Sequence, residues 1–145
     1  MLISTKGRYA LRMMVDIAVH SNGSFVSLRE VSSRQDISMK YMEQIISPLT
    51  KAGILQSERG PQGGYRLAQA PSSYTVGDIL HATEGPLLPA EYTDNQRERC
   101  TNAADSPTLP FWQGLVATID EYLNATTLQD LIDQASGPYV PDYSI

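Results

Sequence analysis

The run Gly60-Pro61-Gln62-Gly63-Gly64, set between Ile54-Leu55-Gln56-Ser57-Glu58-Arg59 and Tyr65-Arg66-Leu67, leaves the chain little conformational choice. Glycine and proline packed this densely make a tight reversal, and the residues on either side make it a hairpin of two short strands. Alone in water such a hairpin is marginally stable at best, so it has to lean on other elements.

The residues before it supply helices. From Ser4 to about His20, the residues Ala10, Leu11, Met14, Ile17 and Ala18 fall at helical spacing, and Ser21-Asn22-Gly23 ends the run. Ser27-Leu28-Arg29-Glu30 has the form of a capping box and predicts a short second helix. A third opens at Ser38 and runs to Ala52, with Gly53 as a left-handed terminator and Met42, Ile45, Ile46 and Leu49 as its buried stripe. Pro48 inside it is expected to kink or shorten the helix.

Beyond the hairpin, Pro71-Ser72-Ser73 breaks the chain, and Thr75-Val76-Gly77-Asp78 is a second capping box, opening a helix that carries Ile79 and Leu80 and stops near Gly85-Pro86. Residues 87–110 have no period and read as a loop. Trp112, Leu115, Val116, Ile119, Tyr122 and Leu123 then recur at helical spacing. So apolar a helix needs cover, either across a two-fold axis in a dimer or on its own domain. Thr127-Leu128-Gln129-Asp130 caps a last short helix, and Gly137 to Ile145 reads as a flexible tail. The expected fold is mainly α with a small β-hairpin wing. It divides into a winged helix-turn-helix over residues 1–86, a loop over 87–110, a dimerisation helix with a short helix over 111–136, and the tail over 137–145.

Charge is distributed unevenly along these units. Residues 1–69 hold nine Lys and Arg against five acids, whereas residues 70–145 hold two against eleven, within a net charge of -5. A basic N-terminal part beside an acidic remainder suits a nucleic-acid module joined to a protein-contacting one, because phosphates attract only the former. No uninterrupted apolar stretch of about eighteen residues occurs, and a single cysteine, Cys100, excludes an intrachain disulfide, so a reducing cytoplasm is the expected address. His20, His81 and Cys100 lie on separate elements without a converging nucleophile and base; catalysis is not expected, and the two histidines suit helix ends.

Three helices and a hairpin in this order place the third helix in a major groove with the wing beside it. On that helix Lys40, Glu43, Gln44, Ser47 and Lys51 share the polar face, a pattern that also suits a plain solvated surface. Arg59 before the turn and Arg66 after it could enter a minor groove. The expected partners are double-stranded DNA and a second copy of the chain, with a protein-interaction adaptor that does not bind DNA as the competing reading.

Ile3-Ser4-Thr5-Lys6-Gly7-Arg8-Tyr9-Ala10, Ile37-Ser38 with Tyr41-Met42-Glu43-Gln44-Ile45 and Ser47-Pro48-Leu49, the wing Arg59 to Tyr65, and Gly77-Asp78-Ile79 with Glu84-Gly85-Pro86 resemble the Rrf-type winged-helix regulators. The resemblance spans nearly the whole chain. It implies a dimer, with Lys40, Glu43, Gln44 and Arg59 at DNA-contacting positions. By extension the DNA surface takes in Ser38, Tyr41, Ser47, Lys51, Gly60, Pro61, Gln62, Gly63 and Arg66.

In the IscR-like branch an iron–sulfur cluster sits on three cysteines and a histidine before the dimerisation helix. Here only Cys100 remains, with Ser106 and Leu109 at two of the ligand positions, so no cofactor or metal is expected. An iron–sulfur or redox response, the latter through a lone Cys100 switch, is kept as the alternative signal. The likeness is nearer to the cluster-free CymR-like branch, in the stretches Pro89-Ala90-Glu91 and Leu123 to Leu131 and in the aromatic tail. That branch controls cysteine metabolism together with O-acetylserine sulfhydrylase, which implies a docking role for Tyr143, Ser144 and Ile145. A terminal carboxylate beside an isoleucine would suit a pocket made for an amino acid, and an idle tail is the other reading.

Overall fold

The computed structural model describes residues 3–87 and 107–136, so Cys100 and the tail from Gly137, with Tyr143, Ser144 and Ile145, lie outside the described residues. Six helices and one hairpin follow in order: α1 (Thr5–Ser21), α2 (Leu28–Gln35), α3 (Met39–Lys51), β1 (Leu55–Glu58), β2 (Gly64–Leu67), α4 (Val76–Glu84), α5 (Leu109–Ala125) and α6 (Leu128–Ala135), with a 3-10 turn at Pro71–Ser73. The architecture is mainly α with a small β wing.

α1 is the centre of the core. Ala10, Met13, Met14 and Ile17 are fully buried and meet Val31 of α2, Met42, Ile45 and Leu49 of α3, Ile79 of α4 and Leu128 of α6. Burying side chains of this size contributes on the order of 1.5–3 kcal/mol each. Local sequence places the ends of the helices. Ser4, Ser27 and Ser38 each accept a backbone N–H into the helix that follows, from Lys6, Glu30 and Tyr41. At α2 only this hydroxyl half of the expected capping box forms.

α3 runs through Pro48 to Lys51, so the proline does not stop it early. Proline at 48 removes one hydrogen bond, to the carbonyl of Gln44, an exposed residue whose oxygen water can serve. Burial of Ile46 and Leu49 on either side of the proline carries the helix past it.

β1 and β2 pair antiparallel from Leu55↔Leu67 to Glu58↔Gly64. The segment before α2 adds a further rung: Val26 and Tyr65 exchange both backbone hydrogen bonds, each at 2.8 Å. Gly64 has φ +151°, and a Cβ there would strike the Val26 carbonyl, so glycine is what lets the wing close on the helical domain.

The chain returns to its starting domain through a second backbone junction. Thr75 and Thr127 each complete a full capping box, on Asp78 and Asp130. They face each other in a β-bridge, with Val76 N–H donating to Thr126 and Leu128 N–H to Tyr74, both at 2.8 Å. α6 therefore packs into the same core as α1, while Leu123 of α5 joins Val76, Leu80 and Leu87 in an adjoining cluster. Described residues on either side of 88–106 thus share the same core.

α4 is latched to the start of α1 by one carboxylate oxygen. Glu84 Oε1 accepts from Ser4 N–H at 2.9 Å, Ser4 Oγ at 2.6 Å and Gly7 N–H at 2.9 Å. A Cβ at Gly7 would lie 2.5 Å from that oxygen, so a side chain there would push the carboxylate off the latch. Burial pushes the Glu84 carboxyl up, but the hydrogen bonds from Ser4 and Gly7 and the nearby Lys6 charge more than offset it, leaving the group below the usual glutamate range. A carboxylate depressed on folding stabilises above its unfolded pKa and loses that contribution as pH falls through its folded one. Glu84→Ala is expected to cost roughly 1.5–3 kcal/mol at neutral pH, the range for hydrogen bonds to a charged group. In urea melts from pH 7 downward, the gap between variant and parent should shrink below the ordinary glutamate pKa.

Candidate nucleic-acid interface

The buried stripe of α3 turns the opposite face outward, and Lys40, Glu43, Gln44, Ser47 and Lys51 are all exposed. At about 1.5 Å per residue the 13-residue helix is roughly 20 Å long, enough to enter a major groove. Met39, which sequence reasoning passed over, is 41% exposed at the start of this face and adds an apolar group of the kind that meets a thymine methyl. Its neighbour Ser38 uses its hydroxyl as the helix cap, at 3.3 Å from Tyr41 N–H. The Tyr41 ring is half-buried and stands edge-on to Tyr9, with centroids 5.7 Å apart, so it borders the open face rather than projecting from it.

The wing lies alongside. Glu43, Ser47, Thr50 and Lys51 of α3 face Tyr65 of β2 across a groove of about 320 Å³. At the tip Arg59, Gly60, Pro61 and Gln62 are exposed, Gly60 has φ +110°, and half-buried Gly63 closes the turn by donating to the Gly60 carbonyl at 3.0 Å.

The two wing arginines have different surroundings. The Arg59 side chain makes no hydrogen bond or ion pair among the described residues. Arg66 donates to Gln56 Oε1 and to the Gly23 carbonyl, each at 3.2 Å, and lies over the Phe25 ring at 4.4 Å. It thus clamps the wing to the loop between α1 and α2, and its guanidinium is largely committed.

Two further cations of the basic part are also committed inside. Arg34 grips buried Asp16 with Nε and Nη2, at 2.7 Å for the shortest contact, and Gln35 donates to the same carboxylate at 2.8 Å. Burial pushes Asp16 up, yet the hydrogen bonds from Arg34 and Gln35 and the charges of Arg34 and His20 hold it below the usual range. Arg12 donates to the Gln35 carbonyl at 2.6 Å, at the end of α2. Arg12 and Arg34 therefore fix the angle between α1 and α2, while Lys40, Lys51 and Arg59 remain outward.

Neither histidine is placed for catalysis with the other. His20 Nδ1 lies 2.8 Å from the Asp16 carbonyl at the end of α1, as expected of a helix-end residue. His81 reaches instead from α4 to Asp120 of α5, at 3.9 Å.

The predicted dimerisation stripe is divided by the fold. Val116 and Leu123 are buried in their own chain and Ile119 packs against the same cluster. Trp112 and Leu115 remain about 40% exposed and Tyr122 more so, and Phe111, edge-on to Trp112 with centroids 5.0 Å apart, extends this face. Periodicity located the helix, but which apolar residues its own domain would cover was not readable from spacing.

The sequence profile of the Rrf2 family, described as iron-dependent transcriptional regulators, matches residues 3–134. The chain belongs to the Rrf2 family. It is 35% identical to the regulator CymR of Bacillus subtilis over 94% of both chains. It is 39% identical to IscR of Vibrio atlanticus over 91% of this chain and 75% of that one. The solved structure of B. subtilis CymR, described as a global cysteine regulator, superposes with a TM-score of 0.72 at 34% identity, covering 92% of this chain and 98% of that one.

An iron–sulfur cluster on three cysteines and a histidine does not fit a sequence with one cysteine. The sequence holds one cysteine, and no group of three or more His, Cys, Asp or Glu among the described residues could hold a metal. Leu109, at a ligand position of the cluster-binding branch, is half-buried in the first turn of α5 and offers no donor atom. A single thiolate per chain does not ligate a cluster from within one subunit. No helix among the described residues is long and apolar enough to cross a membrane.

Proposed function

We propose that this Rrf2 regulator is a homodimeric repressor that places α3 of each protomer in successive major grooves of a palindromic operator, with Arg59 of each wing in the flanking minor groove. The observation that carries the reading is the uncommitted Arg59 at the wing tip beside a helix face whose Lys40, Gln44, Ser47 and Lys51 are all exposed. Lysines supply affinity through phosphates, while Gln44 and Glu43 can address adenine and cytosine edges. Arg66 acts from behind by holding the wing. A two-fold dimer sets the half-sites about one helical turn apart, roughly 34 Å.

In DNase footprinting and salt-dependent binding, Arg59→Ala should weaken operator binding about tenfold or more, and Gln44→Ala should cost about 1–3 kcal/mol and relax one base position. Unchanged footprints for both would remove α3 and the wing from the reading surface.

The dimer forms through the face of α5 carrying Trp112, Leu115 and Tyr122, which are 40%, 41% and 74% exposed in the protomer. Leu115→Glu would bury an unpaired carboxylate there and should give monomers in sedimentation at micromolar concentration. A variant that still sediments as a tight dimer would place the interface elsewhere.

A finer reading follows from the similarity to CymR: control of cysteine metabolism with O-acetylserine sulfhydrylase, anchored by Tyr143, Ser144 and Ile145. Removing these three residues should abolish calorimetric binding to that enzyme and leave operator affinity unchanged. O-acetylserine should compete with the intact chain, because two ligands of one pocket are reciprocally linked. Equal enzyme affinity with and without the tail and the substrate would end this reading.

A further inference from the structure

We propose that residues 137–145 of this chain seat in the groove between α1 and α6 of the same protomer. The groove encloses about 430 Å³, with a floor of Leu11, Val15 and Val19, one turn apart on α1, facing Leu131 and Ala135 of α6. Val19 is 46% exposed there, so a continuous apolar strip of the central helix is left open beside a core that is otherwise closely packed.

Three features select this tail as the occupant. The first is where the chain leaves the fold. α6 ends at Ala135, which itself lines the groove, so the tail begins at its rim. The strip from Leu11 to Val19 is about 12 Å long at 1.5 Å per residue, and nine extended residues span up to about 30 Å. Tethering at the rim raises the local concentration of the tail to the millimolar range, so even a weak contact is populated.

The second feature is side-chain chemistry. Gly137-Pro138-Tyr139-Val140-Pro141-Asp142-Tyr143-Ser144-Ile145 supplies apolar groups for the floor. Its two prolines favour an extended backbone and carry no N–H that would need a partner there.

Charge is the third. Asp16 lies in the groove but its carboxylate is paired with the Arg34 guanidinium, so the cation left at the rim is Arg12, which is exposed and, among the described residues, hydrogen-bonded only to the neutral Gln35. Asp142 is the one charged residue of the tail and is complementary to that rim. Seated in the groove, the tail covers α1 and is withheld from any other partner, the enzyme proposed above included.

The test uses full-length protein carrying Cys100→Ser and Tyr143→Cys with a nitroxide on the new thiol, and reads paramagnetic broadening of the Val15 and Val19 methyl resonances. Strong broadening within the spin-labelled chain is expected, and Val19→Asp, at an exposed position, should abolish it by setting a second carboxylate against Asp142. A mixture of isotope-labelled chains without nitroxide and spin-labelled chains without isotope should show none. Broadening in that mixture would assign the groove to a second copy and overturn the proposal, as would its absence from every sample. Truncation after Ser136 should shift the same methyls, and a synthetic peptide of residues 137–145 should restore them with a millimolar Kd; unmoved methyls would also overturn it. None of these readouts involves DNA or the enzyme, so failure of operator or enzyme binding leaves the result intact.

Discussion

Most of the described elements of this protein rest directly on the buried α1. One helix with four fully buried side chains on its inner face touches α2, α3, α4, α6 and β2, so the orientations of α3 and of the wing are both set against it. Because interiors are packed to near-crystalline density, a helix buried this fully acts as a rigid reference, and elements resting on it keep fixed angles to one another. In the DNA-binding mode proposed above, that rigidity would let α3 and the wing meet two grooves at once.

Around this reference the polar contacts do a second job, which is to sort the cations. The Asp16 carboxylate takes up Arg34, the end of α2 takes up Arg12, and the loop before the wing takes up Arg66. Each of these guanidinium groups stiffens a joint next to the interface. Lys40, Lys51 and Arg59, along α3 and at the wing tip, are left outward. A carboxylate at the end of α4 holds the start of α1 in the same manner, and paired threonine caps bring α6 back to the domain it left. The acidic C-terminal part is thus fastened to the basic N-terminal one by backbone hydrogen bonds, apolar contact and the Glu84 carboxylate, with no Lys or Arg ion pair between the two among the described residues.

Much of this was legible in the residues. Ser27, Ser38, Thr75 and Thr127 announced helix starts because a hydroxyl satisfies an orphan N–H within three residues, a contact that needs no tertiary partner. The Gly60 to Gly64 run announced the hairpin for an equally local reason. The exposed face of α3 followed from its 3.6-residue period. Pro48 misled because its local penalty was outweighed by Ile46 and Leu49 packing on the core, and packing energy is not visible in a window of neighbours. The role of Arg66 was missed in the same way, since Gly23 and Phe25 lie some forty positions away in sequence.

By itself, then, the sequence determined the capped helix starts, the hairpin, the uneven charge and, through its similarity to known regulators, the family. These depend on contacts within a few residues or on pattern along the chain. The tertiary structure alone decided which arginines are committed, which half of the α5 stripe its own domain covers, what a side chain at Gly7 or Gly64 would strike, and that α6 shares the core of α1. Each of those is a matter of what a group meets across space once distant segments are packed, and the cost of a clash or an unpaired charge is set by that neighbour rather than by the residue alone.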